Sequence, residues 1–356
     1  MSKTVVIHIP FKLGYRASGG GVRPQKMIEA FKREGFHVEV ISGSNKERNE
    51  AFKDLFIRID SGEIQVRFIY SEAPANPTIL TDRKKWWCFR DFFYLILLHK
   101  KNIPIALFYR DIHWNVPGIF NFSLLKRIVL RLFHYIDLFF YRFFVDILLL
   151  PTEKMAPFIP LAAFFQRAEL PPGHDIFETL PDKKITPVLK GIFVGGVLPP
   201  VYDISTLFEG NTSIKLTVCC RQDEWNTMKS YYGDVPNEVS IIHKSGKELN
   251  DEYLQQHVFV MLRTDHLYLK INQPLKLYEA IGFELPVLVS PGSLVADLVE
   301  SWGIGWVTSD INYNITSEEY LRKLKKIREI KINHTWDSRV RFLSGLIDDY
   351  QKSKTR

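Results

Sequence analysis

Brief apolar runs alternating with helical periodicity dominate this chain, and that rhythm leaves few folds open. The runs Val5–Pro10, Phe36–Ile41, Gln65–Tyr70, Ile105–Tyr109 and Ile147–Leu150 have the length of buried strands. The first two bracket a glycine triplet, Gly19-Gly20-Gly21, and a helix from Arg23 to Arg33 that Gly35 stops. Strand, loop, helix, strand is a βαβ opening, the unit of a parallel sheet, whose ligands gather at the carboxyl ends of the strands. A long amphipathic helix is expected from Ser123, its N-cap, to about Phe144.

Between residues 157 and 187 the rhythm fails. Pro157, Pro160, Pro171, Pro172, Gly173, Pro181 and Pro187 punctuate a stretch with little periodicity, as expected of a crossover between domains. Alternation then resumes, with strands at Gly191–Gly195, Lys215–Cys220, Val239–His243, Val258–Leu262 and Pro286–Ser290. Helices fall at Asp203–Glu209, Asn250–Gln256 and Leu275–Gly282, and two helical patterns, Ser317 to about Arg328 and Thr335 to Lys352, close the chain. A length of 356 residues with 46% hydrophobic content is too great for one core and too apolar for disorder. Two α/β domains are expected.

Composition narrows the setting. Cys88, Cys219 and Cys220 cannot build a disulfide framework or a zinc site, so a reducing compartment fits. No secretory signal is read, since Thr4 to Ile9 is too short for an h-region. The most apolar stretch, Ile128–Leu150, is interrupted by Arg131, Asp137, Arg142 and Asp146 and does not read as a membrane span. The net charge of +7 is uneven: residues 83–142 carry +8 and the remainder −1, and the same window holds 16 of the 48 aromatic residues. Trp86-Trp87, Phe92-Phe93-Tyr94 and Phe139-Phe140-Tyr141 alternate with Arg90, Lys100, Lys101, Arg127, Arg131 and Arg142. Such a surface suits anionic headgroups, or single-stranded nucleic acid; the plain alternative is a core of rings with solvated basic faces.

Three constellations bear on chemistry. Glycines at 19–21 let backbone approach a phosphate or sugar ahead of a helix N-terminus, or form a simple turn. Asp111 and His113 follow a strand end, where either can take a proton from a hydroxyl; alternatively Asp111 caps a turn or pairs with Arg110. Lys276 and Glu279 share one face at the start of a helix that runs into Gly282, Pro286 and a strand. A cation there can neutralise a leaving diphosphate, and a carboxylate can accept two ribose hydroxyls. Alone, the pair reads as a solvated i,i+3 contact worth a few tenths of a kcal/mol.

The segment Pro274–Ser290 resembles the nucleotide-binding helix of GT-B glycosyltransferases, in particular the large retaining family with a K-x-x-E helix, roughly P-x-K-x-x-E-x-x-x-x-G-x-P-V. Other stretches resemble that family in order: Glu34–Val40 its first helix exit and second strand, Val145–Glu153 the end of its first domain, and Leu170–Asp175 its crossover. Phe193-Val194-Gly195-Gly196 is similar to its second-domain opening, and Trp336-Asp337 with Arg339 to its closing helix. The resemblance implies an α/β GT-B fold, two Rossmann-like domains whose parallel sheets face across a cleft. Residues 1–165 would bind the acceptor, 175–334 the nucleotide sugar, and 335–356 would form a helix crossing back onto the first domain.

By the same resemblance Glu279 holds the ribose and Lys276 lies near the diphosphate or hexose. Gly195 and Gly196 let backbone meet the phosphates, Gly20 and Gly21 lie opposite them, and Asp111 and His113 face donor and acceptor. Two features depart from the family: Ile271 stands where a first Glu is usual, and Leu198-Pro199-Pro200 where an Arg is usual. Arg221, Arg263 and Lys270 are the candidate replacements, Arg221 being the one assigned to the donor. The implied activity is a hexosyltransferase using no metal and no cofactor. It would move a hexose from a nucleoside-diphosphate sugar to a glycan or lipid-linked acceptor in bacterial surface polysaccharide assembly, in the cytoplasm against the inner face of the cell membrane, with no nucleic-acid partner. Asp111 as base fits inversion, and His113 hydrogen-bonding the donor fits retention. A nucleotide-sugar epimerase and a non-catalytic glycan- or membrane-binding module are the rivals.

Overall fold

The computed structural model describes residues 4–14, 19–78, 89–119, 123–176, 178–181, 183, 186, 188–209 and 214–354. The chain divides into two compact units, Met1–Pro171 with Trp336–Arg356, and Pro172–Thr335. The sequence placed these divisions at 165, 175 and 334.

The first unit holds a six-stranded parallel sheet. Its strands are β1 (Thr4–His8), β2 (His37–Ile41), β3 (Val66–Glu72), β4 (Ile105–Phe108), β5 (Ile147–Leu150) and β6 (Gln166–Glu169), in the order β2-β1-β3-β4-β5-β6. The central strands β1, β4 and β5 are buried along their whole length, which is why they read as unbroken apolar runs. Among the described residues four helices connect them: α1 (Gly19–Arg33), α2 (Asn45–Asp60), α3 (Arg90–Lys100) and α4 (Leu124–Tyr141). Ser123 caps α4, its hydroxyl accepting from the Lys126 amide at 3.4 Å. The glycine triplet is helical: Gly19, Gly20 and Gly21 form the first turn of α1, not a loop before it. Residues 157–187 also hold more structure than their prolines suggest, with 3₁₀ turns at Glu153–Phe158 and Ala162–Phe164 before edge strand β6.

The second unit repeats the architecture. Strands β7 (Lys190–Val194), β8 (Lys215–Cys219), β9 (Val239–Ile242), β10 (Val258–Met261), β11 (Val287–Val289) and β12 (Gly305–Val307) form a parallel sheet in the order β12-β11-β10-β7-β8-β9. The chain builds outward from β7 through β8 to β9, then returns to start β10 on the other side of β7. Neighbours β7 and β10 therefore diverge in their connections, and a crevice opens at their carboxyl ends. Helices α5 (Gln222–Tyr232), α6 (Gly246–Gln255), α7 (Leu275–Gly282), α8 (Leu294–Trp302) and α9 (Ser317–Ile330) cover the sheet. The helix expected at Asp203–Glu209 is only a 3₁₀ turn, Ser205–Leu207. Asp203 stands at its start, where its carboxylate accepts from the Ser205 amide at 2.9 Å and from the Tyr231 hydroxyl at 2.9 Å.

The closing helix α10 (Trp336–Lys354) packs on the first unit. Ion pairs Arg33–Asp337 and Arg67–Asp348, both 2.6 Å, fix it along its length.

Candidate functional site

The second unit's site begins at the β7/β10 divergence. Gly195 and Gly196 leave β7, and Arg263 leaves β10. A Cβ on Gly195 would lie 2.7 Å from Arg263 Nη2, so any larger residue would make the guanidinium shift. That guanidinium lies over the Phe193 ring at 5.1 Å and the Tyr202 ring at 5.2 Å. Its Nε is buried without a hydrogen-bond partner, and burial pulls its pKa below the ordinary arginine value. The Gly195 amide already donates to the Cys219 carbonyl at 3.1 Å and the Val197 amide to Glu224 at 3.2 Å. Gly196 is thus the amide of this turn best placed to meet an anion.

Arg221, the cation assigned from sequence, precedes α5 and is held by the Glu224 carboxylate, the same group that bonds Val197. Lys270 forms an exposed pair with Asp265 at 3.4 Å. Of the three candidate replacements for the family's arginine, Arg263 is the one against the glycine turn. Its surroundings form an open pocket lined by Arg263, Thr264, Asn272, Pro274, Ser290 and Ser293 among others. Ser290 orients the strand end by accepting from the Arg263 amide at 2.8 Å, and Ser293 caps α8 through the Ala296 amide at 3.1 Å. The lining residues Thr264, Asn272, Ser290 and Ser293 went unread from the sequence because polar residues in loops carry no periodic signal.

Pro274 lines this pocket and is the N-cap of α7, whose first turns present Lys276 and Glu279. Lys276 Nζ lies 2.7 Å from Glu279 Oε2, so the i,i+3 pair forms. A third residue, missed from sequence, changes its meaning: the Tyr253 hydroxyl from α6 donates to the same Oε2 at 2.9 Å. Tyr253 is fully buried and stacked on Phe283 at 4.6 Å. Burial and the adjacent Glu279 carboxylate push its phenol pKa well up, so it stays a donor. The Glu279 side chain is 22% exposed and its known bonds both fall on Oε2, so Oε1 can accept further hydroxyls.

Gly282, read as the helix stop, is the last residue of α7, and the neighbouring His174 ring is what leaves no room for a side chain there. A Cβ there would sit 2.9 Å from the His174 ring. The left-handed residue is Glu284, at φ +55°, where the family form has glycine. Its buried carboxylate pairs with Arg328 at 2.7 Å and Lys331 at 3.0 Å and accepts from the Leu180 amide at 3.0 Å.

In the first unit, Asp111 and His113 follow β4. Asp111 Oδ1 accepts from the Ile112 amide at 2.7 Å and the His113 amide at 3.0 Å, the turn-capping arrangement. Its Oδ2 lies 3.6 Å from His113 Nδ1. Arg110 turns instead to buried Glu72 at 2.6 Å. Beneath this loop Trp114 stacks on His134, with centroids 4.4 Å apart and planes at 10°, and donates to the Tyr109 hydroxyl at 3.0 Å. Gly20 and Gly21 belong to the opening turn of α1.

No family model matches the chain, and no curated protein is significantly similar to it. Solved structures are similar throughout its length. Anabaena HepE in complex with UDP shares 11% identity over 99% of this chain and 98% of its own, with a TM-score of 0.50. WaaG, a glycosyltransferase involved in lipopolysaccharide biosynthesis, shares 15% over 98% of each chain, also at 0.50. With the two parallel sheets, these place the chain in the two-domain, Rossmann-like GT-B fold of glycosyltransferases.

Proposed function

We propose that the protein is a glycosyltransferase that moves a hexose from a nucleoside-diphosphate sugar to a glycan or lipid-linked saccharide acceptor, in bacterial surface polysaccharide assembly at the cytoplasmic face of the membrane. The observation that carries this reading is Glu279: a carboxylate at the head of α7, held through one oxygen by Tyr253 and Lys276 and able to accept ribose hydroxyls on the other. Arg263 and Lys276 supply the positive charge for the diphosphate, so the leaving group is stabilised by fixed cations and the Gly196 amide without a metal. As the acceptor oxygen bonds to the anomeric carbon, the bond to the diphosphate breaks and the acceptor hydroxyl yields its proton. Asp111 taking that proton corresponds to inversion, and His113 bonding the donor corresponds to retention. The anomeric coupling constant of the product, read by NMR, separates the two.

The test of the donor site is calorimetric titration of uridine, guanosine and thymidine diphosphates. At least one binds the wild-type protein, and Glu279→Ala weakens it by about ten- to a hundred-fold, the loss of a charged hydrogen-bond acceptor. Unchanged affinity in the variant, or no binding of any nucleotide, would overturn the reading. Conversion of a nucleotide sugar without any acceptor would transfer the assignment to an epimerase.

A further inference from the structure

The basic, ring-rich window of the sequence divides in the structure. Phe92, Phe108, Tyr109, Trp114 and Tyr141 are buried in the first unit, and Trp86 and Trp87 lie outside the described residues. One face of α4 stays outside. Leu125, Ile128, Val129, Leu132, Tyr135 and Phe139 are 41–72% exposed. At 100° per residue they fall within an arc of roughly 120°. That arc lies opposite the side formed by His134, Asp137, Leu138 and Tyr141, which are buried. Helix α4 therefore has one side packed and, opposite it, an apolar side exposed to water. Residues 123–129 are exposed without interruption, including Lys126 and Arg127, and Arg131 follows on the next turn. No acidic residue precedes the buried Asp137 in this helix.

An apolar stripe of this size on a helix surface marks a docking face. We propose that the outward face of α4 lies in the headgroup region of an anionic lipid leaflet, with its leucine and isoleucine side chains among the acyl chains. Tyr135 and Phe139 suit the interface, where rings partition, and Lys126 and Arg131 flank the stripe on its two sides, where lipid phosphates would be met. A second copy of the chain is a poorer occupant, because facing α4 helices would bring the same cations together without a carboxylate between them. The helix lies on the bilayer and does not cross it: among the described residues no helix is long and apolar enough to span. The proposal extends the membrane-face acceptor reading but depends on no step of the transfer reaction.

Flotation of the full-length protein tests it, using vesicles of phosphatidylcholine alone and of phosphatidylcholine and phosphatidylglycerol in equal parts. The protein floats with the anionic vesicles and much less with the neutral ones. Lys126→Ala with Arg131→Ala weakens partition about thirty-fold, from roughly 1 kcal/mol for each charge near the surface. Leu125→Glu with Ile128→Glu abolishes flotation while leaving the melting temperature unchanged, since both side chains are already in water. Leu132→Trp adds fluorescence that lipids brominated in the acyl chain quench beyond the quenching seen with the wild-type protein. Three outcomes would overturn the proposal: no retention on anionic vesicles, retention indifferent to both double variants, or a concentration-dependent dimer in sedimentation that Leu125→Glu with Ile128→Glu dissociates while vesicles retain nothing. Flotation by a protein that binds no nucleotide would leave this surface standing and sink the transferase reading alone.

Discussion

Arg263 and Gly195 are 68 positions apart in the chain, and only the strand order makes them neighbours. Their closeness gives a pair of substitutions with one expected consequence. Arg263→Ala removes the guanidinium. Gly195→Ala places a methyl 2.7 Å from Nη2, so the guanidinium must shift from its place against the turn. Both variants should bind a nucleoside diphosphate about ten-fold more weakly or worse, roughly 1.5–3 kcal/mol for a charge-assisted contact, and should bind the parent nucleoside as the wild type does. Calorimetry with both ligands makes the check, and equal losses for the two ligands would exclude a diphosphate role. Residues whose chemistry is local were legible in the sequence: Lys276 and Glu279 are three apart on a helix, and Asp111 closes the turn in which it lies. Tyr253 and Arg263 were not, because their meaning depends on which strands and helices pack together. Glu284 is the opposite case: its φ of +55° is strain that ion pairing to Arg328 and Lys331 holds in place, and no rule of turn chemistry would select a glutamate there.

Elements with apolar runs on both faces were read nearly to the residue, as β5 and α7 illustrate. Those missed are elements whose burial is one-sided or slight. Strand β6, Gln-Arg-Ala-Glu, lies at a sheet edge and is mostly exposed, so it has no apolar run to find. Helix α2 buries Arg48, Phe52 and Leu55 within a charged sequence, although its Ser44/Glu47 capping box was there to be read. Helix α10 was found, yet how its far end is fastened could not be foreseen. Buried Asp146, just before β5, accepts from the Ile105 amide at 2.9 Å, from the Tyr350 hydroxyl, and from Lys354 at 3.1 Å. Burial alone would raise the pKa of this carboxyl; the bonds from His99, Tyr350 and the Ile105 amide overcome it and hold it at about 2. Asp146→Ala should therefore cost about 2–4 kcal/mol, leaving a sheet amide unpaired and the end of α10 loose, whereas Lys354→Ala at the exposed edge should cost less than about 1 kcal/mol. Urea midpoints of the two variants test the contrast, and equal effects would show that α10 is held elsewhere.

At the scale of the whole molecule, two units with separate cores need not share one stability, and acid should part them. The first unit holds His8, whose pKa burial lowers to about 4 against the opposing pull of Asp91, and His134, which burial lowers to about 3. Both are neutral in the folded state at pH values where the unfolded chain, with ordinary imidazoles near 6.5, takes up protons. Their contribution is complete above about pH 6.5 and is lost as pH falls toward the folded values, at about 3 kcal/mol for each histidine by pH 4. Asp146, also in the first unit, begins to add to the loss below about pH 4, in the same direction. The sum approaches the entire stability of an ordinary domain. In the second unit burial lowers the His266 imidazole, at a half-buried position that water can screen. Scanning calorimetry from pH 7 to pH 4 should resolve two transitions, with the first unit's melting falling well ahead of the second's. His134→Phe keeps the stacked ring without the titrating nitrogen and should recover about half of the acid loss. Parallel decline of both transitions, or an acid midpoint indifferent to His134→Phe, would mean that the two buried imidazoles are not what sets the limit.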